Sequence, residues 1–196
     1  YSGGKDSTAI TQLIWLALKD LPEEKRHKDV WVITTDTLVE NPIVAQWVNY
    51  SLEIMDKNAQ KEKLPIYTKL LTPPVKDSFW TNLIGKGYPA PRHGFRWCTN
   101  RLKIDPVSAF VETFKEEDQQ VIIVIGARRA ESNVRAGVLK KRENTGLRKH
   151  LSQHNTMSNA LVYAPIKEWD NDDVWLFLME KTNPWGIKNK DLFDMY

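Results

Sequence analysis

YSGGKDST, at residues 1–8, places two glycines and a lysine immediately before a helical pattern. Residues 5–19 carry their apolar side chains at the three- and four-residue spacing of a helix buried on one side. Gly3 and Gly4 allow the backbone in front of that helix to turn tightly and to approach an anion closely. Because a helix N-terminus offers free N–H groups and the positive end of its dipole, the pattern predicts a phosphate-binding loop.

The polar side chains of this loop are suited to holding phosphate. Lys5 supplies a mobile positive charge, and hydroxyl groups come from Ser2, Ser7 and Thr8. Asp6 could hold a metal ion or orient the loop. The loop lacks the GxxxxGK[ST] pattern of a Walker A motif, so a different kind of phosphate loop is indicated. The alternative interpretation is an ordinary glycine-rich turn whose Ser and Asp residues cap the helix.

Strand and helix patterns alternate along the rest of the chain. Runs rich in β-branched and apolar residues predict strands at 29–35, 64–71, 120–125 and 161–166. Capping residues and prolines predict helices at 41–59, 105–114 and 170–181. This alternation predicts an α/β fold in which a mostly parallel sheet is flanked by helices on both faces. Ligands of such sheets bind at the carboxyl ends of strands, which directs attention to the loops at 2–8, 35–41 and 126–135.

The chain of 196 residues is long enough for one α/β domain with its own core. We interpret 1–196 as a single nucleotide-binding domain truncated at both ends, because it begins inside a motif without an initiator Met. Residues 128–159 are polar and basic with few helix or strand signals, which predicts a basic loop or insert. The formal net charge of +3 is too small to indicate nucleic-acid binding by itself.

Cysteine content and hydropathy point to the cytoplasm. No apolar run approaches the roughly 18 residues of a membrane span, so no membrane partner is expected. The one cysteine, Cys98, fits a reducing compartment, and its cationic neighbours Arg92, Arg96 and Arg101 favour the thiolate. Three roles stay open for it: a thiolate that handles sulfur, one ligand of an iron–sulfur cluster, or a buried structural residue.

Several motifs resemble those of PP-loop ATP pyrophosphatases and the PAPS reductase superfamily. SGGKDS at 2–7 matches the PP-loop of N-type ATP pyrophosphatases. Four further segments resemble the superfamily's other motifs and occur in the same order. They are Asp36 and Thr37, CTNRLKIDP at 98–106, GARRAESNVR at 126–135 and PIKEWDNDDVWLFL at 165–178. The resemblance implies a Rossmann-like, adenine-nucleotide alpha-hydrolase-like fold. It also implies that ATP is cleaved between its α and β phosphates with the help of Mg²⁺.

The resemblance further implies roles for individual residues. ATP would be held by Ser2, Gly3, Gly4, Lys5, Asp6, Ser7, Thr8, Asp36, Arg128, Glu131 and Arg135. The implied catalytic residues are Lys5, Asp6, Cys98 and Arg128. Asp6 is also a candidate Mg²⁺ ligand, and Cys98 a candidate ligand of a 4Fe–4S cluster whose other cysteines lie outside this chain. The alternatives are that the arginines belong to a solvated charged loop and that Asp36 caps a turn.

Within the superfamily the chain resembles most the DndC family of DNA phosphorothioation, through CTNRLKIDP and the long basic segment before LVYAPIKEW. This resemblance implies that a DNA backbone phosphate is activated for sulfur transfer. The implied partners are DNA, a cysteine desulfurase as sulfur donor and other subunits of a DNA modification complex. Two alternatives stay open: a reductase of adenylyl sulfate or phosphoadenylyl sulfate, and a non-catalytic ATP-binding subunit. The ECGxH tail in which sulfonucleotide reductases carry their nucleophilic cysteine does not occur in these residues.

Overall fold

The structure of the chain is a computed structural model, which describes residues 1–114, 119–144 and 150–196. Its strands are β1 (Val30–Thr35), β2 (Ile66–Leu71), β3 (Val121–Val124), β4 (Leu151–Gln153) and β5 (Ala160–Tyr163). Each of the four predicted strands is present, with ends that differ by a few residues from the prediction. The sequence pattern did not predict β4.

Parallel pairing dominates among these strands. β1 and β2 pair in parallel, in a register that runs from Val30 opposite Ile66 to Thr35 opposite Leu71. β3 and β5 also pair in parallel, and β4 adds to β5 as an antiparallel strand. The predicted α/β fold built on parallel strands is therefore confirmed.

Helices connect and cover the strands. In chain order they are α1 (Lys5–Asp20), α2 (Pro42–Lys61), α3 (Trp97–Thr99), α4 (Asp105–Glu112), α5 (Asn133–Asn144), α6 (Asn171–Glu180) and α7 (Asn189–Phe193). Among the helices of the described ranges, none is both long enough and apolar enough to cross a membrane.

Side-chain caps set where two of the predicted helices begin. The Asn41 side chain accepts a hydrogen bond from the Ile43 N–H at 2.9 Å, and Pro42 occupies the first turn of α2. Asp170 Oδ1 accepts from the N–H groups of Asp172 and Asp173 at 2.8 and 2.9 Å at the start of α6. These bonds satisfy N–H groups that have no partner inside the helix, as predicted from the sequence.

The glycine loop lies between the carboxyl ends of β1 and β3. On the β1 side, the Tyr1 backbone nitrogen donates to the Ile33 carbonyl at 2.5 Å, and Thr34 Oγ1 donates to the Tyr1 carbonyl at 2.8 Å. On the β3 side, Gly126 is so close to Asp6 that a Cβ atom on it would stand 3.2 Å from the Asp6 carbonyl carbon. The loop therefore occupies the edge at which parallel α/β sheets bind their ligands.

Helix α1, which follows the loop, is packed on two faces. Trp15 packs with Met55 of α2 and with Trp185, and all three side chains are almost fully buried. On another face, Ala9 belongs to a buried cluster with Leu178 of α6. Burial of each large side chain contributes about 1.5–3 kcal/mol, so packing along the whole helix holds its first turn in place.

The segment 128–159 differs from the loop that the sequence predicts. It contains helix α5 and the edge strand β4, and its residues 145–149 lie outside the described residues. In α5, Leu139 is buried whereas Val134 and Val138 are exposed. The apolar residues of α5 therefore do not form the stripe by which an amphipathic helix is recognised in a sequence, which explains why the sequence pattern predicts no helix here.

Residues 75–104, which follow β2, form a lobe of short turns. The glycines and prolines at 76–99 predict irregular structure for most of this segment. The structure adds a 3₁₀ turn at Val75–Asp77, π-helical turns at Thr81–Gly85 and Asn100–Ile104, and helix α3. We call residues 75–104 the cationic lobe. It contains the Cys98 segment.

Candidate nucleotide-binding site

The conformation of the loop depends on Gly3. Its φ angle is +73°, in the left-handed region that residues other than glycine rarely adopt. A Cβ atom at Gly3 would stand 2.7 Å from Val48 Cγ2, and Trp47 Nε1 donates to the Gly3 carbonyl at 3.2 Å. Gly3 therefore lets the loop lie directly against α2, which fixes the direction in which the chain enters α1.

Two serine hydroxyls brace the loop from inside. Ser7 Oγ donates to the Gly4 carbonyl at 2.8 Å and lies 3.1 Å from Ser2 Oγ. The Ser2 N–H in turn donates to Ser7 Oγ at 3.2 Å. Two of the three predicted loop hydroxyls, those of Ser2 and Ser7, therefore lie at the loop, where they hold its shape.

Thr8 takes a different position from the other loop residues. Its side chain is buried, so the structure does not bring it to the open side of the loop. The Tyr1 phenol is buried in the same region, where burial raises its pKa and the hydroxyls of Ser51 and Thr8 oppose that rise. Thr8 thus belongs to the polar part of the core beneath the loop.

The centre of the site is a carboxylate shared by two cations. Asp6 Oδ2 lies 3.0 Å from Lys5 Nζ, and Asp6 Oδ1 lies 2.5 Å from Arg128 Nε. Arg128 is only 4% exposed, which is unusual for an arginine, and the Lys5 side chain is also largely buried. The structure therefore brings three of the predicted catalytic residues together, with a net charge of +1 at the N-terminus of α1.

Glu131 contacts the backbone of Arg128 and helps to hold it in place. Its Oε1 atom accepts from the Arg128 N–H at 3.0 Å, while its Oε2 atom pairs with Arg135 Nε at 2.9 Å. The Arg135 side chain is half exposed and points its guanidinium at Glu131. Glu131 thus contacts the Arg128 backbone directly, whereas the contact described for Arg135 is with Glu131.

Asp36 caps a turn at the end of β1. Its Oδ1 atom accepts from the Leu38 N–H at 2.8 Å, and its own N–H donates to the Leu71 carbonyl at 2.8 Å. Leu38 has a φ angle of +63°, a strained conformation that this bond helps to hold. The turn cap, one of the two roles expected for Asp36, is therefore the one its contacts describe.

Cys98 lies in α3 and is partly exposed. Arg101, a cation expected to favour its thiolate, is engaged elsewhere: it pairs with Asp77 at 2.7 Å and donates to Tyr88 Oη at 2.9 Å. The lobe is tied to the β1–α2 loop by Lys103 and Glu40, whose charged atoms are 3.5 Å apart. Cys98 thus belongs to a segment anchored at the same edge of the fold as the loop.

The donor set does not fit a protein-bound Mg²⁺ at Asp6. Both of its carboxylate oxygens face cations, so a metal ion there would meet the positive charges of Lys5 and Arg128. In the described ranges, no group of three or more His, Cys, Asp or Glu side chains is arranged to hold a metal ion. Cys98 is the one cysteine of these 196 residues, whereas a 4Fe–4S cluster takes four thiolates, so a cluster here would need the cysteines outside this chain that the resemblance implies.

Tyr196 is a residue of the site that the sequence did not reveal. Its Oη atom accepts from the Lys5 N–H at 3.3 Å, and its ring centroid lies 5.4 Å from Lys5 Nζ. An anion that uses this N–H must displace the phenol hydroxyl. Only folding brings these residues together, since Lys5 and Tyr196 are 191 positions apart in the sequence.

The chain is similar in sequence to a known protein family and to a curated relative. A family model described as the phosphoadenosine phosphosulfate reductase domain matches residues 1–186. Over 194 residues the chain is 30% identical to an uncharacterized protein of Methanocaldococcus jannaschii, a match that covers 99% of this chain and 33% of the relative. The chain thus spans about a third of the length of that curated relative.

A solved structure shares the fold. The crystal structure of phosphoadenylyl-sulfate reductase from Candida auris, in complex with phosphate, superimposes with a TM-score of 0.53 at 15% identity. The superposition covers 100% of this chain and 76% of the reductase chain. It confirms the Rossmann-like, adenine-nucleotide alpha-hydrolase-like fold, and the family match extends over nearly the whole chain. The chain therefore belongs to the phosphoadenosine phosphosulfate reductase domain family.

Proposed function

We propose that this chain is the nucleotide-binding unit of an ATP pyrophosphatase, which converts ATP to AMP and pyrophosphate. The observation that carries the proposal is the cluster of Lys5 and Arg128 around Asp6 at the start of α1. Two largely buried cations beside the N-terminus of α1 form an anion site, whereas a glycine turn that only caps a helix needs no buried cations.

The proposed reaction uses this cluster to stabilise the leaving group. The β and γ phosphates of ATP lie on the loop, next to the N–H groups of α1 and to Lys5. An oxygen nucleophile attacks the α-phosphorus, the bond to the bridging oxygen breaks, and pyrophosphate leaves. Lys5 and Arg128 are already oriented by Asp6, so little reorganisation is needed as negative charge develops. One well-placed donor of this kind contributes about 10²–10³ in rate.

The finer proposal concerns the group that is activated. We propose that the nucleophile is a non-bridging oxygen of a DNA backbone phosphate. A sulfide-level sulfur, released from the persulfide of a cysteine desulfurase by a thiol reductant, then attacks the adenylated DNA phosphorus, and the bond from that phosphorus to the oxygen of AMP breaks. The support is the motif resemblance together with the position of Cys98, in a lobe that Lys103 and Glu40 tie to the edge carrying the loop. Other subunits of a modification complex would provide the remaining steps.

A second candidate is reduction of adenylyl sulfate or phosphoadenylyl sulfate. The specific observation in its favour is the family match over residues 1–186, whose description names a phosphosulfate reductase domain. The same loop and cations would hold the phosphate groups of the sulfonucleotide. That reaction also requires a nucleophilic cysteine and an electron donor, whereas ATP cleavage requires neither.

Product analysis with ATP labelled at the α-phosphate tests the proposal. We expect labelled AMP and an equal amount of pyrophosphate. Lys5→Ala should lower AMP formation by about 10²-fold, because it removes a cation from the leaving group. Lys25→Ala is the matched control: Lys25 is an exposed lysine of the turn at Glu23–Lys25, and its loss should not change the rate.

Other outcomes would favour other functions. ADP and phosphate as the main products would contradict cleavage between the α and β phosphates. Release of sulfite from phosphoadenylyl sulfate in the presence of thioredoxin, without AMP formation from ATP, would establish the reductase. Tight binding of ATP without any product would indicate that the chain is a non-catalytic nucleotide-binding subunit.

A further inference from the structure

We infer that the cationic lobe, residues 75–104, is a docking surface for a single-stranded nucleic acid. The choice of a nucleic acid as partner rests on the proposed function, whereas the surface is defined by the lobe's own charges and aromatic rings. It would present the strand to the site through the segment that carries Cys98.

Charge is the first feature of the lobe that fits a polyanion. It contains six Lys or Arg residues and a single acidic residue, Asp77. Asp77 is already neutralised, because Arg101 lies 2.7 Å from its carboxylate and Lys86 lies 3.4 Å from it. From residue 78 to residue 104 the sequence has no acidic side chain at all. The lobe therefore carries a net positive charge, which attracts phosphate groups.

A supported aromatic platform is the second feature. Trp97 is buried and donates through Nε1 to the Pro89 carbonyl at 3.0 Å, which fixes its ring. Phe79 stacks on Trp97 with ring centroids 5.5 Å apart, and Trp80 packs edge-on against Phe79 at 5.2 Å. Trp80 nevertheless remains 56% exposed. Such a ring, held at one edge and otherwise open to solvent, offers a flat surface on which an unpaired base can stack.

A tight turn next to this platform presents cations. Arg92 and Phe95 exchange backbone hydrogen bonds of 3.1 and 2.9 Å, and Gly94 between them has a φ angle of +84°. The turn leaves Arg92, Phe95 and Arg96 exposed. Within the described ranges, neither Arg92 nor Arg96 is paired with a carboxylate, so both guanidinium groups are available for phosphate contacts.

The lobe lies at the edge of the fold that carries the glycine loop. It follows β2, whose last residue, Leu71, accepts from the Asp36 N–H at the end of β1. Lys103 and Glu40 form a second link, at 3.5 Å. Cys98 is two residues beyond Arg96, so the proposed surface and the thiol belong to the same lobe.

Single-stranded nucleic acid fits these features better than a duplex or an acidic protein. Duplex bases are stacked on one another and cannot use an exposed indole, and an acidic protein would gain from the cations without needing the supported ring. Exposed aromatic rings between unpaired arginines are typical of proteins that bind single strands.

Fluorescence anisotropy with a labelled DNA strand of about 20 nucleotides tests the surface on the full chain. Trp80→Ala should weaken binding about tenfold, and Trp80→Phe should restore most of the affinity because it keeps an aromatic face. Arg92→Ala combined with Arg96→Ala should weaken binding and lower the salt dependence by about 0.7 per lost phosphate contact. Thermal unfolding checks that each variant stays folded.

Matched controls separate a defined surface from general charge attraction. Lys25→Ala combined with Lys28→Ala removes the same charge from exposed positions before β1, at the opposite edge of that strand, and should leave binding unchanged. Tyr50→Ala removes an aromatic ring that is equally exposed on α2. An equal loss with these controls, preference for duplex DNA, or no binding to wild-type protein would overturn the inference.

The two measurements, AMP formation and strand binding, distinguish an error in the proposed surface from an error in the proposed function. If wild-type protein forms no AMP from ATP but binds the strand with the dependence on Trp80 described above, the proposed reaction fails and the surface stands. If AMP forms and the strand binds with no dependence on Trp80, Arg92 or Arg96, the surface fails and the reaction stands.

Discussion

Arg128 Nε lies 2.5 Å from Asp6 Oδ1, although the two residues are 122 positions apart in the sequence. The pair joins the first turn of α1 to the segment that follows β3. Arg128 is almost completely buried, so its charge depends on Asp6 for compensation. The same carboxylate also neutralises Lys5, which makes Asp6 the residue on which the electrostatics of the site depend.

Asp6→Asn should destabilise the fold and tighten anion binding at the same time. Loss of the carboxylate leaves Arg128 buried without a counter-charge, which we expect to cost about 2–3 kcal/mol of unfolding free energy. Pyrophosphate restores the missing negative charge, so it should stabilise the variant more than it stabilises wild-type protein. Urea unfolding with and without pyrophosphate measures both effects.

The control for this prediction is the same substitution at the other end of the helix. Asp20 is exposed in the last turn of α1, and Asp20→Asn should change stability by less than about 0.5 kcal/mol. The additional stabilisation by pyrophosphate should be the same with and without Mg²⁺. If pyrophosphate stabilises only wild-type protein, and does so only with Mg²⁺, Asp6 is a metal ligand and the proposed role as a shared counter-ion is wrong.

The two loop glycines should respond differently to substitution. Gly3→Ala forces a side chain into the left-handed region and to within 2.7 Å of Val48, so we expect a loss of about 2–4 kcal/mol of unfolding free energy. Gly4 has an ordinary φ angle of −87°, and its Cβ would meet only the ends of two side chains, Tyr196 and Ser2.

Gly4→Val should therefore leave the fold stable while lowering ATP affinity at least about tenfold, because it blocks the close approach of phosphate to the backbone. Calorimetric titration with ATP measures the affinity, and thermal unfolding measures the stability of both variants. An unchanged affinity in Gly4→Val would contradict the assignment of the loop.

Gly126→Ala tests the contact between β3 and α1. The new Cβ atom would stand 3.2–3.3 Å from Asp6 atoms that include backbone, which cannot move without shifting the helix. We expect a loss of about 1–3 kcal/mol of unfolding free energy and weaker ATP binding, because Arg128 moves away from the loop.

Gly137→Ala is the contrasting control for that change. Gly137 lies within α5 with no atom near its missing Cβ, so the alanine should stabilise the protein by about 0.5–1 kcal/mol. Chemical denaturation compares the two variants. Equal stability of Gly126→Ala and wild-type protein would mean that the fold does not depend on the close approach of Gly126 to Asp6.

Cys98→Ser separates the two stages of the proposed reaction. Oxygen in place of sulfur neither carries sulfane sulfur nor binds iron well, so incorporation of sulfur into DNA should be lost. Pyrophosphate release should persist, because it depends on the loop and its cations. The measurement is phosphorothioate content of DNA and pyrophosphate release in parallel, with Thr99→Ser as the neighbouring control. Full sulfur incorporation in Cys98→Ser would mean that Cys98 has only a structural role.

The sequence by itself determined the elements whose signals are local. The loop and α1 follow from the glycines and the helical spacing behind them, and β1 follows from a run of β-branched residues. The caps at Asn41 and Asp170 were predicted for the same reason, since each acts within three residues of its own position. Alternation of strands and helices then implied parallel pairing, and hence the edge at which the loops would meet.

Tertiary structure alone decided what the charged side chains do. The sequence left two roles open for Asp6, a metal ligand or a residue that orients the loop, and folding surrounds it with two cations. The sequence also left open which arginine would pair with Glu131, and folding places Glu131 on the Arg128 N–H and the Arg135 guanidinium. Tyr196 reaches Lys5 only because α7 packs beneath α1 through buried Leu192. The physical reason is that charge pairing depends on separations of a few ångströms in space, which a pattern along the chain does not contain.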